Sequence, residues 1–329
     1  MRSLFHSTTA RRGADFLAFV LLFLATNALA LDLQGHRGAR GLAPENTLPA
    51  FERALEIGVT TLELDIAITA DGVAVVSHDP FFNPDITRDA SGQWLAARGP
   101  VIRSLTLAKV QAHDVGRINP ASAYAKQFPQ QQGQDGVRIP TLAALFARVK
   151  ELGAADVRFN IETKINPVRP DDTLPPEAFV RILLQTIADA GMAQRVSIQS
   201  FDWRTLQLAQ QLAPAIPTVY LTVQAPSFDN LKDMAWTAGF KLADHASVPA
   251  MVKAAGGKVW SPNAGALTQE AVRQAQALGL QVIPWTVNQR ADLARLLDWQ
   301  VDGLITDYPN LLRDLMRERG MALPKALKN

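Results

Sequence analysis

At 329 residues the chain can form one large α/β domain or two medium ones, and its 48% apolar and 19% charged residues are ordinary for a globular protein with a substantial core. It contains no cysteine, which excludes thiol catalysis, disulfides, cysteine-ligated zinc and a lipidated N-terminal cysteine. The formal charge is +2, with no basic run and no interleaving of basic and aromatic residues, so nothing points to a nucleic-acid partner.

Residues 1–30 read as a cleaved export signal. Arg11 and Arg12 precede an apolar run from Phe16 to Ala25, and Ala28-Leu29-Ala30 forms a small-residue cleavage site. About ten apolar residues are too few to span a bilayer, which takes about 20. The expected location is therefore periplasmic or secreted, with no stable membrane insertion after cleavage. Residues 31–329 are expected to form a single domain, in which acids and bases are equal in number once the leader's Arg2, Arg11, Arg12 and Asp15 are removed.

Short apolar strands then alternate with amphipathic helical segments. The first strand runs from Leu31 to Gly35 and delivers His36. Thr47 can cap the helix that follows, Pro49 is tolerated in its first turn, and Gly58 stops it. The second strand spans Thr61 to Ile68, and Asp71-Gly72 turns the chain into an antiparallel return, Val73 to Ser77, that delivers His78. Pro80 to Pro140 breaks the rhythm; this excursion of about 60 residues, with one helical stretch near Leu105 to Val115, is long enough to be a functional cap.

From Thr141 the alternation resumes, with strands expected at Val157–Thr163, Val196–Ser200, Thr218–Thr222, Lys258–Ser261, Gln281–Val287 and Gly303–Thr306. Helices are expected at 141–152, 177–190, 202–212, 268–278, 290–297 and from Asn310, with a helical region from Phe228 to Gly256. Without the hairpin return the parallel strands number eight, which fits a closed (β/α)₈ TIM barrel carrying an inserted cap after its second strand. The glycine pattern of a dinucleotide fold does not follow the first strand.

Alternate residues of a barrel strand face the interior and the surrounding helices. Leu62, Leu64, Ile66 and Ile68 share one parity; Glu63 and Asp65 share the other and point inward. Phe159 and Ile161 face out, while Asn160, Glu162 and Lys164 face in. Three carboxylates, Glu63, Asp65 and Glu162, would then converge near the strands' C-terminal ends. Such an all-oxygen set suits one hard divalent cation, Ca²⁺ or Mg²⁺, although a salt-bridge network with Arg37 and Lys164 uses the same residues. His36 and His78, each ending a strand, can act as a base–acid pair, and Arg37 and Lys164 can receive a phosphate.

The ordered set His36-Arg37-Gly38, Pro44-Glu45-Asn46-Thr47, Glu63-Leu64-Asp65, His78-Asp79, Ile161-Glu162-Thr163-Lys164, Gln199-Ser200-Phe201, Trp285-Thr286-Val287-Asn288 and Asp302 through Pro309 closely resembles the glycerophosphodiester phosphodiesterase family. The resemblance implies a TIM barrel that hydrolyses small-molecule glycerophosphodiesters, such as glycerophosphocholine or glycerophosphoethanolamine, to glycerol 3-phosphate and an alcohol. It further implies His36 and His78 as the acid–base pair, Glu63, Asp65 and Glu162 as ligands of a divalent cation, and Arg37 and Lys164 as phosphate contacts. Trp285 would wall the substrate pocket. Glu45 and Asn46 brace the site or order the loop before the first helix. Phe81, Phe82, Trp94 and Tyr124 of the cap contact a headgroup or form the cap's own small core. Two other functions use the same residues: a phospholipase D-like activity on lysophospholipids, and an exported non-catalytic protein that captures cations or phosphorylated solutes. Only the two acid–base readings give the histidines a purpose.

Overall fold

In the computed structural model, which describes residues 30–327, eight parallel strands form the wall of a barrel. They are β1 (Asp32–Gly35), β2 (Thr61–Ile68), β4 (Arg158–Thr163), β5 (Val196–Ser200), β6 (Thr218–Thr222), β9 (Val259–Pro262), β10 (Gln281–Val282) and β11 (Gly303–Thr306). The return strand β3 (Ala74–Val76) pairs antiparallel with β2, and β7 (Gln224–Ala225) and β8 (Phe228–Asp229) form a separate hairpin. The ladder runs β10-β9-β6-β5-β4-β2-β1-β11. Hydrogen bonds from Asp302 N to Val282 O (2.9 Å), Ile305 N to Pro284 O (3.0 Å) and Val287 N to Ile305 O (3.0 Å) bring its two ends together. The expected leader at residues 1–29 lies outside the described residues, and among those described no helix is long and apolar enough to cross a membrane.

Helices α1 (Leu48–Ile57), α3 (Leu142–Glu151), α4 (Pro176–Asp189), α5 (Trp203–Leu212), α6 (Val248–Ala254), α7 (Gln269–Ala277), α8 (Arg290–Asp298) and α9 (Pro309–Glu318) surround the strands, and α2 (Leu107–Val110) lies in the cap. Most begin at a side chain that accepts from an otherwise free N–H: Thr47 for α1, Thr141 for α3, Asp202 for α5, Ser247 for α6 and Thr268 for α7. The main core lies between strands and helices, where Leu33, Leu62, Leu64, Phe159, Ile161 and Ile198 are fully buried against Phe51, Phe146, Phe179 and Trp203. The barrel interior is divided. Val219, Val259, Ile283 and Ile305 form a small apolar cluster with Trp285 on one side. Gln34, Glu63, Asn160 and Gln199 fill the other, and the amide nitrogen of Asn160 reaches both Gln34 Oε1 (3.0 Å) and Gln199 Oε1 (2.9 Å).

Three element expectations need correction. The expected strand from Gln281 to Val287 is regular only to Val282, because Pro284 has no N–H to continue the ladder. Phe228 to Gly256 holds the second strand of a hairpin, a 3₁₀ turn at Leu242–Asp244 and only the short α6. The expected helix at Leu105–Val115 shrinks to α2, since Ile102, Val110 and Val115 are spent on the cap's own core with Phe82 and Ile139. That core also includes Val75 of β3 and Ala67 of β2, so the cap grows directly from the hairpin return.

Candidate active site

The C-terminal ends of the strands surround an open pocket of about 180 Å³, walled by His36, Arg37, Arg40, Glu63, His78, Glu162, Lys164, Gln199, Phe201 and Trp285 among others. Every residue expected at the site except Asp65 lines it, and Asp65 stands just beneath. The parity argument holds: β2 and β4 are in register with Asp65 beside Glu162, and their outward residues are in the helix-facing core.

Glu63, Asp65 and Glu162 each offer a carboxylate oxygen within 4.8 Å of the others, and all three are buried. Asp65 is the anionic member. Burial would raise its carboxyl, but His78, Arg37 and Lys164 hold it far below the usual carboxylate range. Arg37 Nε lies 3.3 Å from Asp65 Oδ2, which also accepts from Asn46 Nδ2 at 2.9 Å. Glu63 is the opposite case. Burial and the Asp65 charge push it well above its ordinary value, because its own partners are neutral: the Arg37 backbone N–H (2.8 Å) and Gln199 Nε2 (2.6 Å). Glu162 is pushed up to about 7 by burial, with Lys164 Nζ at 2.8 Å opposing the shift. Two cations therefore do not neutralise three carboxylates. The donor set is all oxygen, and with all three carboxylates ionised it is one positive charge short, so it could hold a hard divalent ion.

The two histidines are oriented by carboxylates, which can only accept. His36 Nδ1 therefore donates to Asp307 Oδ1 at 2.6 Å, leaving Nε2 on the pocket side, 3.9 Å from Glu63 Oε2. His78 Nδ1 likewise donates to Asp79 Oδ1 at 3.0 Å. Burial, with the Arg40 charge, lowers His36 to about 4 against the opposing pull of Asp307; burial, Arg37 and Lys164 lower His78. Burial thus favours the neutral form of both rings, in which the hydrogen sits on Nδ1 and the lone pair on Nε2.

The loop joining β1 to α1 is shaped for this site. Arg37 and Asn46 are non-glycine residues at φ 50° and 55°, in the left-handed region, and Asn46 N–H donates to Arg37 O at 3.0 Å. Gly38, at φ 86°, has no room for a side chain: a Cβ would stand 2.6 Å from the carbonyl carbon of Ala50. The loop turns this tightly so that Arg37 can present both its N–H to Glu63 and its guanidinium to Glu45 (2.6 Å). Lys164 and Arg37 stand on either side of Asp65, and the Trp285 indole is held at the wall by its N–H bond to Ser261 O (2.9 Å) and by the edge of Phe201, 5.3 Å between centroids.

Sequence reasoning missed several members. Asp307 accepts from His36, from Arg40 Nε (2.8 Å) and Nη2 (3.0 Å), and from Asn288 Nδ2 (2.6 Å). Its place immediately after β11, at the C-terminal mouth, is the signal that could have found it. Asp307, Gln199 and Asp79 all sit in motifs that were recognised without a role for these residues. Arg40 had no signal at all, because only the folded loop brings it back over Asp307. Of the cap aromatics, Phe82 joins the cap core, Phe81 and Trp94 lie under Arg98 and Arg88, and Tyr124 reaches the barrel, donating to Glu45 Oε2.

The sequence model of the glycerophosphoryl diester phosphodiesterase family matches residues 36–311, a span running from His36 through Asp307. This chain belongs to that family. It is 32% identical over 286 residues to a glycerophosphodiester phosphodiesterase of Bacillus subtilis, covering 86% of this chain and 85% of that one. A glycerophosphodiester phosphodiesterase of Caldanaerobacter subterraneus is 28% identical, with 87% and 97% covered. Among solved structures, a provisionally assigned glycerophosphoryl diester phosphodiesterase from Silicibacter pomeroyi superposes with a TM-score of 0.81 at 33% identity, covering 89% of this chain and 95% of that one. An Oleispira antarctica phosphodiesterase in complex with its product sn-glycerol-3-phosphate shares the fold, with a TM-score of 0.62 at 21% identity and 86% and 96% covered. As a glycerophosphoryl diester phosphodiesterase the protein is a phosphoric diester hydrolase, and the family's TIM barrel is the one described above.

Proposed function

We propose that this enzyme hydrolyses glycerophosphodiesters such as glycerophosphocholine to glycerol 3-phosphate and an alcohol, with His36 as base, His78 as acid and one divalent cation, Ca²⁺ or Mg²⁺, held by Glu63, Asp65 and Glu162. The observation that carries the reading is the pair of imidazoles, each fixed by a carboxylate on Nδ1, facing one pocket with the buried carboxylates, Arg37 and Lys164. His36 Nε2 takes the proton from the attacking oxygen as it forms the new bond to phosphorus. The bond from phosphorus to the alcohol oxygen breaks, and His78, protonated on Nε2 from solvent before the step, gives that proton to the departing oxygen. Arg37 and Lys164 offset charge on the non-bridging oxygens, the guanidinium in two-point fashion and the ammonium as a point charge. When bound, a divalent cation supplies further positive charge to the phosphoryl group. The Trp285 and Phe201 rings wall the pocket on the organic side. Product bound in the Oleispira antarctica relative supports a small-molecule substrate. We also assign the enzyme to the periplasm or the exterior on the character of residues 1–30; N-terminal sequencing of the mature protein should begin at Leu31.

Release of glycerol 3-phosphate from glycerophosphocholine, measured with and without EDTA, tests the assignment. Turnover should vanish on chelation and return with Ca²⁺ or Mg²⁺, and activity indifferent to EDTA would remove the cation from the scheme. His36→Ala and His78→Ala should each lose most activity while remaining folded. A second reading, cleavage of lysophospholipids, is favoured by one feature: the pocket-lining Phe201 ring packs edge-on against Phe228, 5.6 Å between centroids, and Phe228 is itself exposed. Lysophosphatidylcholine in the same assay distinguishes the two.

A further inference from the structure

A phenol from the cap reaches into the charged network of the site. Tyr124, on the insertion, donates its hydroxyl hydrogen to Glu45 Oε2 and accepts from Arg40 Nη1 at 3.2 Å. Each partner leads to a different side of the pocket. The second oxygen of Glu45 accepts from Arg37 Nη1 at 2.6 Å. Arg40 forks onto both oxygens of Asp307, and Asp307 holds His36 Nδ1. A hydroxyl can donate once while accepting, so Tyr124 can serve a carboxylate and a guanidinium together, which neither phenylalanine nor a cationic residue can do.

The surrounding contacts bring the phenol there. Phe128 packs its ring edge-on against Tyr124 (5.1 Å) and lies under the Arg40 guanidinium (4.7 Å). Gln131 Nε2 donates to Arg40 O (2.7 Å) and Gln132 N–H to Leu42 O (2.9 Å), fastening the cap to the β1–α1 loop. Glu45 is 7% exposed and Arg37 8% exposed, so neither can replace a lost partner with bulk water. The guanidinium is held between two carboxylates: Nη1 donates to Glu45 Oε1 at 2.6 Å, and Nε faces Asp65 Oδ2 at 3.3 Å without a well-aligned hydrogen bond, so Glu45 supplies its one short hydrogen bond among the described residues.

Building on the function proposed above, we infer that Tyr124 is a positioning residue: through Glu45 it sets the Arg37 guanidinium, and through Arg40 it supports the Asp307–His36 pair, so the insertion completes the phosphate-binding side of the barrel. Without the hydroxyl, Glu45 Oε2 is left buried and unpaired. The carboxylate then turns towards Arg37 and Arg40 and draws the guanidinium away from the pocket.

The experiment is a double-mutant cycle of Tyr124→Phe and Glu45→Gln, read as kcat and KM for glycerophosphocholine and, by calorimetry, as affinity for glycerol 3-phosphate. Circular-dichroism melts of all four proteins establish that each is folded. Loss of a hydrogen bond to a buried charge should lower kcat/KM about tenfold in Tyr124→Phe, mostly through KM, with a matching loss of glycerol 3-phosphate affinity. Glu45→Gln should do the same, and the double variant should be no more than about twofold worse than the poorer single one, because both changes break one chain of contacts. Tyr124→Phe within about twofold of wild type in both readouts overturns the inference, whatever Glu45→Gln does. So do losses that multiply, which would mean that the two residues act separately. The binding cycle requires no turnover. An inactive wild type with an intact binding cycle would therefore reject the proposed reaction and leave the positioning role standing.

Discussion

Replacing Asp307 with Asn keeps the shape of a side chain that is 1% exposed and removes its charge. Four donor groups converge on its two oxygens: His36 and Arg40 Nε on one, Arg40 Nη2 and Asn288 on the other. An amide has only one acceptor oxygen, so its NH₂ must face two donors whichever way it is turned. Facing Arg40 and Asn288, it opposes a guanidinium and a fixed amide. Facing His36, it forces the imidazole to carry its hydrogen on Nε2, where it can no longer accept a proton. In a comparable His–Asp arrangement of serine proteases, this tautomer error costs about 10⁴-fold in kcat. Where a donor to a charged group is merely weakened, about 1.5–3 kcal/mol is at stake, on the order of 10- to 100-fold. We therefore expect Asp307→Asn to lower kcat by about 10² to 10⁴. Leaving Arg40 without its buried anion should also cost about 3 kcal/mol, and at most about 6–12 °C in Tm. Asp307 does not touch Glu63, Asp65 or Glu162, so calorimetric affinity for Ca²⁺ or Mg²⁺ should change less than about threefold, a difference of well under 1 kcal/mol. A variant that retains more than a tenth of wild-type kcat would refute the tautomer argument. Loss of cation affinity in proportion to kcat would show that Asp307 acts through the carboxylate cluster instead.

Three further outcomes follow from the geometry. Glu63→Gln turns an NH₂ towards either the Arg37 N–H or Gln199 Nε2, both donors, so the cation-free protein should melt somewhat lower than wild type, while the stabilisation given by saturating cation, about 2.7 kcal/mol at one hundred times Kd, should disappear; differential scanning fluorimetry with and without Ca²⁺ reads both. Burial would raise the Asp79 carboxyl, but hydrogen bonds from His78 and Asn83 hold it at about 2, below its ordinary value. A depressed carboxyl stabilises the fold above its unfolded pKa, so urea melts should show an advantage of about 2 kcal/mol over Asp79→Asn at pH 7, shrinking as pH falls from 4 towards 2. An advantage that does not vary with pH would contradict it. Gly38→Ala puts a Cβ against the Ala50 backbone at a left-handed φ, and should cost about 3 kcal/mol or more together with most activity, seen in a thermal melt.

The sequence by itself determined the architecture and the inward set, because both depend on period. Alternation of two placed Glu63 and Asp65 on the opposite face from Leu62 and Leu64, and a one-residue slip would have put the leucines in the pocket. The eight-strand count survived even where one strand proved short, since the barrel needs only enough of β10 to carry the hydrogen bonds around Pro284. The ordered motifs delivered both histidines and all three carboxylates to one place. What they could not deliver was the second ring of contacts. Asp307 is 271 residues from His36, Gln199 is 136 from Glu63, and Tyr124 is 79 from Glu45; none of these pairs has a periodic signature.

The cap shows the same limit from the other side. Its aromatics read alike in sequence, yet Phe82 became core, Phe81 and Trp94 lie beneath guanidinium groups, and Tyr124 reaches the site. An irregular segment has no period to say which way a side chain points, so only packing against the barrel decides. Periodicity determined which residues stand in the pocket. Closure of the barrel and the seating of the cap decided which partners hold Glu63, His36 and Arg37, because those partners meet through space and leave no spacing along the chain.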